Sequence, residues 1–521
     1  MNDLAEKALH GVAVARRQVR ARATLCFAVL GFVLAVGVVV AGGAVGAAQP
    51  TRPLTTWLGL QDSSRDVGRT LSATVLLVAI VTFVLLWLVL VEFVRRSAQP
   101  QSRVWWVAAA WAVPFAVGPP LMDTSVYSSA AYGLLQRRGH DPYHSVPTRL
   151  GDSPVVAAID PASRGTPSGA GPLGSLVQHL SVSAANGSAL GAVIILRVVA
   201  VLATIWIGRL AADLGGARAD RALTLTVLNP LVLLYLVSAA HLDVLTIAFA
   251  LGAVVTANQR QWLAAVSLAC LAGSVTGQGF VVLVVIVAVH VVGRRSMPVW
   301  QVLRRDVVAA ALVTGVLGLI VSGGFGWLTS VSKQFSEHTP FSVAGATAIV
   351  LRPIVRDASY DDFAIGGRIT AATAMVCVIA YLVCTARHRA LELSAGYALL
   401  AVGLLAPVLH PWYLLWGALC LAPTARGARR VAVQAICAAG CVLALPGFSD
   451  IVTDVLTGAL LLAAAASAGF ALAATRASAR GGSSERSAGQ ADDPRPTRRD
   501  RGDVARLRAF RRPGRRDVDA L

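Results

Sequence analysis

The stretch TLCFAVLGFVLAVGVVVAGGAVGAA, residues 24–48, contains no charged side chain and consists mostly of Val, Ala, Leu, Gly and Phe. A helix of about 25 residues, rising about 1.5 Å per residue, is long enough to cross the roughly 30 Å hydrocarbon core of a bilayer. Basic residues up to Arg22 precede the stretch, as in a signal peptide. The apolar run is longer than the core of a typical signal peptide, which favours an uncleaved first membrane span.

Apolar runs recur through most of the chain, which is 56% hydrophobic and only 14% charged. Soluble proteins carry nearly twice that share of charge, about 25%. The runs also lack the period-two alternation of a membrane β-barrel. These features predict an all-α polytopic membrane protein with about 14 transmembrane helices. The predicted spans lie near 24–48, 70–94, 103–121, 190–208, 221–238, 243–257, 261–276, 279–293, 307–323, 367–385, 392–408, 410–423, 430–446 and 451–474.

The net charge of +19 comes mostly from basic residues in short segments between the runs and in the last part of the chain. Lys and Arg accumulate on the cytoplasmic side, so this distribution indicates a topology and not a nucleic-acid partner. Both termini are then predicted to be cytoplasmic, and two long loops, 122–189 and 324–366, extracytoplasmic. The predicted domains are a cytoplasmic tail 1–23, a transmembrane domain 24–475 and a disordered basic cytoplasmic tail 476–521.

The chain has no P-loop, HExxH, CxxC or GxSxG motif, which argues against nucleotide hydrolysis and zinc chemistry. Polar residues at the outer ends of spans are therefore the candidates for chemistry. Asp123 follows Pro119 and Pro120 at the end of the third span. A carboxylate there can act as a general base or bind a cation, or it can simply begin a helix as an N-cap.

His241 and Asp243 form a second candidate in SAAHLD, a short outer turn between two spans. Placing ionisable groups near the membrane costs free energy, so such groups tend to be functional. An Asp in a turn can also be an N-cap. The third candidate is VLHPWYLLW, residues 408–416. His410 is suited to a hydrogen bond with a sugar hydroxyl or a phosphate. The Trp and Tyr side chains after it either contact substrate or form an aromatic belt at the membrane interface.

The first long loop has a helical pattern in SVYSSAAYGLLQRR, with apolar residues at helical spacing that suit a position on the membrane surface. Gly139 is expected to end this helix, and Asp141-Pro142 to begin a turn. In the second loop, the basic side chains are either a clamp for phosphate or ordinary surface charge. These residues are Lys333, His338, Arg352 and Arg356.

Several of these segments, in this order, resemble the GT-C glycosyltransferases, and in particular the polyprenyl-phosphate-mannose-dependent α-1,6-mannosyltransferases of mycobacterial-type envelopes. The segments are GPPLMDTSVYSSAAYG, RGHDPY, TPSGAGPLG, LNPLVLLYLVSAAHLD, GGFGWL and HPWYLLW. The resemblance covers about residues 20–475. It implies a GT-C-like membrane fold with an outward-facing active site and a catalytic Asp in the first large outer loop.

The sequence departs from the family at four polar or aromatic positions. The family's DVYSY aligns without a gap on Val126, Tyr127 and Ser128, which places Ser125 at its acidic position, two residues after Asp123. Ala170 replaces an aromatic residue, Leu242 an amide, and Thr276 a lysine expected in the seventh span. A serine cannot act as a base at neutral pH, so a carboxylate at another position must serve as the base. The candidates are Asp123, Asp141, Asp160 and Asp243.

The resulting hypothesis is an extracytoplasmic glycosyltransferase of the plasma membrane. It would move mannose from a polyprenyl-phosphate donor to a lipomannan-type or lipoarabinomannan-type acceptor, in contact with membrane lipid. The site assignment is Asp123 as catalytic base, with substrate contacts from Tyr127, Asp141, His241, Asp243, His410, Trp412 and Tyr413. No residue is assigned to a metal, and the sequence indicates no definite cofactor, with a divalent cation left open. The rival hypotheses are an inactive GT-C-like subunit that binds lipid or glycan, and a lipid or solute transporter.

Overall fold

The computed structural model describes residues 2–45, 57, 67–97, 99–293, 297–321, 323–329, 342–351 and 360–443. All of them belong to the first of two compact units in the chain, Met1–Thr457. The predicted span 451–474 and the predicted tail 476–521 lie outside the described residues. The four basic candidates of the second long loop also lie outside them, so their proposed role stays a prediction.

Helices make up most of the described chain, and no strand occurs in these ranges. This agrees with the predicted all-α class. The α-helices are α1 Asn2–Val45, α2 Val67–Arg96, α3 Gln101–Val117, α4 Ser125–Arg137, α5 Pro154–Ala157, α6 Pro172–Ala184, α7 Ala189–Gly215, α8 Ala219–Thr226, α9 Asp243–Asn258, α10 Trp262–Val275, α11 Phe280–Gly293, α12 Val299–Ile320, α13 Val343–Leu351, α14 Tyr360–Cys384, α15 Leu391–Leu405, α16 Tyr413–Leu421 and α17 Ala428–Leu443. A π-helix, Val232–Ser238, lies between α8 and α9.

Four described helical segments are long and apolar enough to cross a membrane: Gln18–Ala44, Ser72–Arg96, Ala189–Thr226, which joins α7 and α8, and Phe363–Cys384. A fifth is the π-helix together with α9, which are bent by 109° at a short break. Four further apolar helices are shorter, for example Trp262–Val275 and Leu391–Leu405. A helical membrane protein is thus confirmed, whereas the total of about 14 spans stays a prediction.

The predicted single span 221–238 is wrong, because the helix breaks at Asn229-Pro230. Pro230 has no backbone N–H and disfavours the helical conformation of the residue before it. The side chain of Asn229 supplies a hydrogen-bond acceptor at the start of the next helical segment, since its Oδ1 accepts the backbone N–H of Leu231 at 3.0 Å. The chain resumes as the π-helix, which ends at Ser238 beside the site described below.

The loop 122–189 contains the expected helix as α4, and Gly139 (φ 77°) follows its end. The expected turn is also confirmed, because the Asp141 Oδ1 accepts the N–H of Tyr143 at 2.8 Å. More of α4 is buried than one amphipathic face would bury, since α4 packs against α6. At the contact, a Cβ on Gly133 would lie 2.3 Å from the carbonyl oxygen of Gln178. This close packing fixes the helix that begins two residues after Asp123.

Candidate active site

Three segments between helices bring the central polar side chains together. The first, 118–124, joins α3 to α4 and carries Asp123. The second, 239–242, joins the π-helix to α9 and carries His241 just before Asp243. The third, 406–412, joins α15 to α16 and carries His410. Each segment begins or ends a helix, so its side chains are held by rigid elements.

His241 lies between two carboxylates. Its Nε2 is 3.5 Å from the Oδ2 of Asp123, and its Nδ1 is 3.7 Å from the Oδ2 of Asp243. The imidazole is only 4% exposed. The Asp243 Oδ1 accepts the indole N–H of Trp416 at 2.8 Å. Asp243 is therefore fixed from behind, and a protonated His241 can bind both acids at once.

Asp123 is the most exposed of these three side chains, at 20%. Its Oδ1 accepts the backbone N–H of Ser125, the first residue of α4, at 2.5 Å. The Oγ of Ser125 lies 3.1 Å from the Nε2 of His241. The carboxylate of Asp123 and the hydroxyl of Ser125 thus meet at the same imidazole. Asp123 is not the N-cap of α4, which is Thr124, and its role as a general base stays a prediction.

The electrostatics of this cluster favour the charged forms of His241 and Asp123. Burial alone would lower the pKa of His241, but the charges and hydrogen bonds of Asp123 and Asp243 outweigh burial and raise it to about 9. Burial likewise opposes ionisation of Asp123, yet the pKa of this carboxyl is below its ordinary value because His241 and the Ser125 N–H stabilise the anion. At neutral pH the site therefore holds an imidazolium and an ionised Asp123.

His410 differs from His241 in its protonation. Burial is the main influence and lowers the pKa of His410 to about 4, so its ring is neutral at pH 7. The ring stacks on Trp412, with centroids 4.2 Å apart and planes 10° apart. Trp412 also contacts the His241 ring, with centroids 4.1 Å apart. Trp412 therefore connects the two imidazoles.

A cavity of about 550 Å³ opens beside His410. This size is typical of ligand pockets, which run from about 300 to 1,000 Å³. Its walls come mainly from apolar side chains of α14 and α15 and from the segment after α15, including Ile369, Met375 and Leu405. Its polar lining includes Gln278, Arg368, His410 and Tyr413. His410 thus lines the cavity and also stacks on Trp412, which contacts His241. We call the group of Asp123, His241 and Asp243 the acid cluster.

The other predicted site residues lie elsewhere. Tyr127 is wholly buried in α4 and is not among the residues that line the cavity. The carboxylate of Asp141 binds its own turn, where its Oδ2 lies 2.7 Å from the Nδ1 of His144. Asp160 donates its backbone N–H to the Thr124 hydroxyl at 3.1 Å, next to Asp123. Substrate contacts by Tyr127 and Asp141 stay predictions.

Sequence reasoning missed three participants. A belt role for Trp416 is wrong, because its side chain is 1% exposed and its N–H binds Asp243. Its spacing of four residues from Trp412 was the available signal, since it places both on one helix face. Arg368 and Gln278 were also overlooked. Arg368 stands near the start of an apolar run and Gln278 stands between two runs, so both are polar residues at the outer ends of predicted spans.

Two family models match the chain. Residues 28–292 match the model described as Alpha-(1->6)-mannopyranosyltransferase, N-terminal domain, and residues 342–474 match the MptB C-terminal domain. The first match covers about half of the chain and contains Asp123, His241 and Asp243. The second contains the cavity helices α14 and α15 and also His410.

Two curated relatives are similar over most of the chain. Alpha-(1->6)-mannopyranosyltransferase A of Mycobacterium tuberculosis is 25% identical over 422 residues, which cover 78% of this chain and 81% of the relative. Alpha-(1->6)-mannopyranosyltransferase B of Corynebacterium glutamicum is 26% identical over 405 residues, covering 70% and 66%. No solved structure matches the chain. Because the first family model matches about half of the chain, the chain belongs to the alpha-(1->6)-mannopyranosyltransferase family of glycosyltransferases.

Proposed function

We propose that this protein transfers mannose from a polyprenyl-phosphate donor to a cell-envelope lipoglycan, at the extracytoplasmic face of the plasma membrane. The observation that carries this proposal is the arrangement of an apolar cavity next to a carboxylate–imidazolium cluster, with His410 between them. A lipid-linked sugar needs both parts, because its chain is apolar and its reacting carbon must meet a polar site.

The cavity suits the lipid phosphate better than a nucleotide. Its walls offer alkyl surface from Ile369, Ala372 and Met375, against which a prenyl chain can be buried. Arg368 supplies a guanidinium, the group that best clamps phosphate oxygens. The neutral ring of His410 can donate one further hydrogen bond. These groups offset the charge that develops on the leaving polyprenyl phosphate.

In the proposed reaction, an acceptor hydroxyl oxygen attacks the anomeric carbon of the mannosyl group. The bond from that carbon to the phosphate oxygen breaks, and the electron pair leaves with the polyprenyl phosphate. The hydroxyl proton passes to the carboxylate of Asp123, the partly exposed acid of the cluster. His241 and Asp243 lie deeper and hold Asp123 ionised and oriented.

The direct test is a transfer assay with the purified full chain in lipid nanodiscs. Radiolabelled polyprenyl-phosphate mannose and a short α-mannoside acceptor should give product, whereas a nucleotide-linked mannose should not. Transfer from the nucleotide donor would contradict the proposed donor. No transfer from any lipid-linked sugar would instead favour the rival hypothesis of an inactive subunit.

A matched pair of variants tests the cavity. Ala372→Trp should fill the cavity and raise the KM for the lipid donor at least tenfold. Val376→Trp is the control, because Val376 is on the same helix but is 62% exposed and does not line the cavity. Equal kinetics for the two variants would remove the cavity from the donor site.

A divalent cation is the remaining option for balancing the phosphate charge. Among the residues that the structure describes, no three His, Cys, Asp or Glu side chains are grouped as ligands for a metal ion. We assign this role to Arg368, because its guanidinium is always charged and the residue lines the cavity. In the same assay, EDTA should change the rate less than twofold, and a rate restored only by added Mg²⁺ or Mn²⁺ would contradict the assignment.

A further inference from the structure

Two residues with left-handed backbone directly precede the two central side chains of the site. Met122 has a φ of 65° and precedes Asp123, and Ala240 has a φ of 49° and precedes His241. Residues other than Gly, Asn and Asp seldom adopt this conformation, and it persists only where the surroundings enforce it. Because each residue shares a peptide unit with its neighbour, its conformation directs the next side chain.

Ser238 connects the two strained turns. It is the last residue of the π-helix and is wholly buried. Its Oγ accepts the N–H of Leu121 at 3.1 Å and donates to the carbonyl oxygen of Pro119 at 3.3 Å. One hydroxyl therefore fixes the segment before Met122 to the segment before Ala240.

Arg197, on α7, makes a second connection between the same two segments. Its guanidinium donates through Nη1 to the carbonyl oxygens of Gly118 and Ala116 (3.2 Å for the latter). Through Nη2 it donates to the carbonyl oxygen of Ser238 at 2.7 Å. The residue is 4% exposed. The planar fork of Arg can serve several acceptors at fixed angles, whereas the compact ammonium of Lys cannot.

We propose that Arg197 and Ser238 are positioning residues, which hold the turns at Met122 and Ala240 and thereby place Asp123 against His241. This proposal rests on the proposed function, since it assigns these residues a part in the mannosyl transfer. Neither residue contacts substrate in it. Both act through the two turns, so their loss should change the alignment of the acid cluster before it changes donor binding.

The contacts of Arg197 differ from those of an ordinary polar side chain on the same helix. Thr204 is also buried on α7, but its hydroxyl donates to the carbonyl oxygen of Ala200, one turn back in its own helix, at 2.8 Å. Arg197 and Ser238 instead bind carbonyl and N–H groups of other segments. Thr204→Val is therefore a matched control that removes a buried polar group without affecting the two turns.

Kinetics supply the first readout. Ser238→Ala should lower kcat for mannosyl transfer about tenfold to 100-fold, in line with the effect of small misplacements in active sites, and should leave the donor KM within twofold. Arg197→Lys, which keeps the charge, should lower kcat in the same way. Thr204→Val should match the wild type. A folded Ser238→Ala protein with wild-type kcat would overturn the proposal.

A second readout works without any transfer. NMR of the chain labelled at histidine follows the titration of His241, with His241→Asn used to assign its signal. The groups that face His241 are Asp123 before α4 and Ser125 at its start, Asp243 at the start of α9, Tyr235 on the π-helix, and Trp412 with His410 before α16. Misplacement of Asp123 in Ser238→Ala should move the midpoint from about 9 towards the ordinary value of 6.5.

The two readouts separate the two proposals. If the wild type transfers no mannose but the His241 midpoint falls in Ser238→Ala and not in Thr204→Val, the positioning role stands and the proposed function fails. If the wild type transfers mannose and Ser238→Ala leaves the midpoint unchanged, the positioning role is overturned and the proposed function stands.

Discussion

At the residue scale, the position of the acid is the main departure from the family pattern. Ser125 occupies the family's acidic position, yet Asp123 reaches the same His241 imidazole, because the left-handed turn at Met122 and the hydrogen bond from the Ser125 N–H direct its carboxylate there. A loop can absorb a displacement of two residues in this way. Within a helix, a side chain displaced by two positions would point to a different face.

The pH dependence of transfer should show the coupling between Asp123 and His241. His241, with a pKa raised to about 9, is charged at neutral pH and loses its charge as the pH rises through about 9. The pKa of Asp123 is lowered from its ordinary value of 3.8. Its carboxylate is therefore charged at pH values above 3.8 and loses this charge only as the pH falls through the lowered pKa. Transfer should therefore decline above about pH 9 and again in acid.

His241→Asn isolates this coupling. Without the imidazolium, burial is no longer offset and the pKa of Asp123 rises, so the acid limb of kcat/KM against pH should move to higher pH. The limb at about pH 9 should disappear from the profile. An acid limb at the same pH in the variant and the wild type would show that His241 does not stabilise the carboxylate.

At the element scale, the sequence predicted helices more reliably than it predicted how they interact. The helix α4, Gly139 after it and the turn at Asp141 follow local rules, and all three are present. The break of the predicted span 221–238 was also visible, as Pro230 inside an apolar run. The bond from Trp416 to Asp243 joins residues 173 apart in the chain, and no local pattern predicts such a pairing.

The packing of α4 against α6 gives a stability prediction. Gly133→Ala places a Cβ 2.3 Å from the backbone oxygen of Gln178, so the helices must separate, and unfolding should become easier by about 1–3 kcal/mol. Gly366→Ala is the control, because nothing lies within 4 Å of a Cβ there and alanine favours a helix. Denaturant unfolding in detergent measures both. Equal stability of the two variants would contradict the close contact.

At the scale of the whole molecule, the number of spans and the topology still rest on the sequence. The described chain contains four helices, or five with the bent pair, that are long enough to cross a membrane alone. Several predicted spans correspond to shorter helices, such as Tyr413–Thr424. A helical membrane protein follows from pattern and composition, and the family follows from the resemblance of its segments and the match to the family model. The cavity between distant helices does not, because its shape depends on side chains from three separate segments.

Site-directed labelling tests the predicted topology. In a background without the native cysteines, Arg149→Cys lies in the first long loop and Ala428→Cys lies at the start of α17, both at exposed positions. A membrane-impermeant maleimide should label Arg149→Cys in intact cells and Ala428→Cys only after lysis. Labelling of the second site alone in intact cells would invert the topology and place the acid cluster on the cytoplasmic side.

The central claim is that Asp123 is the base, and the most direct measurement is the rate of mannosyl transfer by Asp123→Asn in nanodiscs. Loss of a general base typically costs about 10²-fold to 10⁴-fold. We predict a loss in that range, with the donor KM little changed, and partial recovery in the double variant Asp123→Ser/Ser125→Asp, which restores the family's acidic position. Transfer by Asp123→Asn at the wild-type rate would contradict the account.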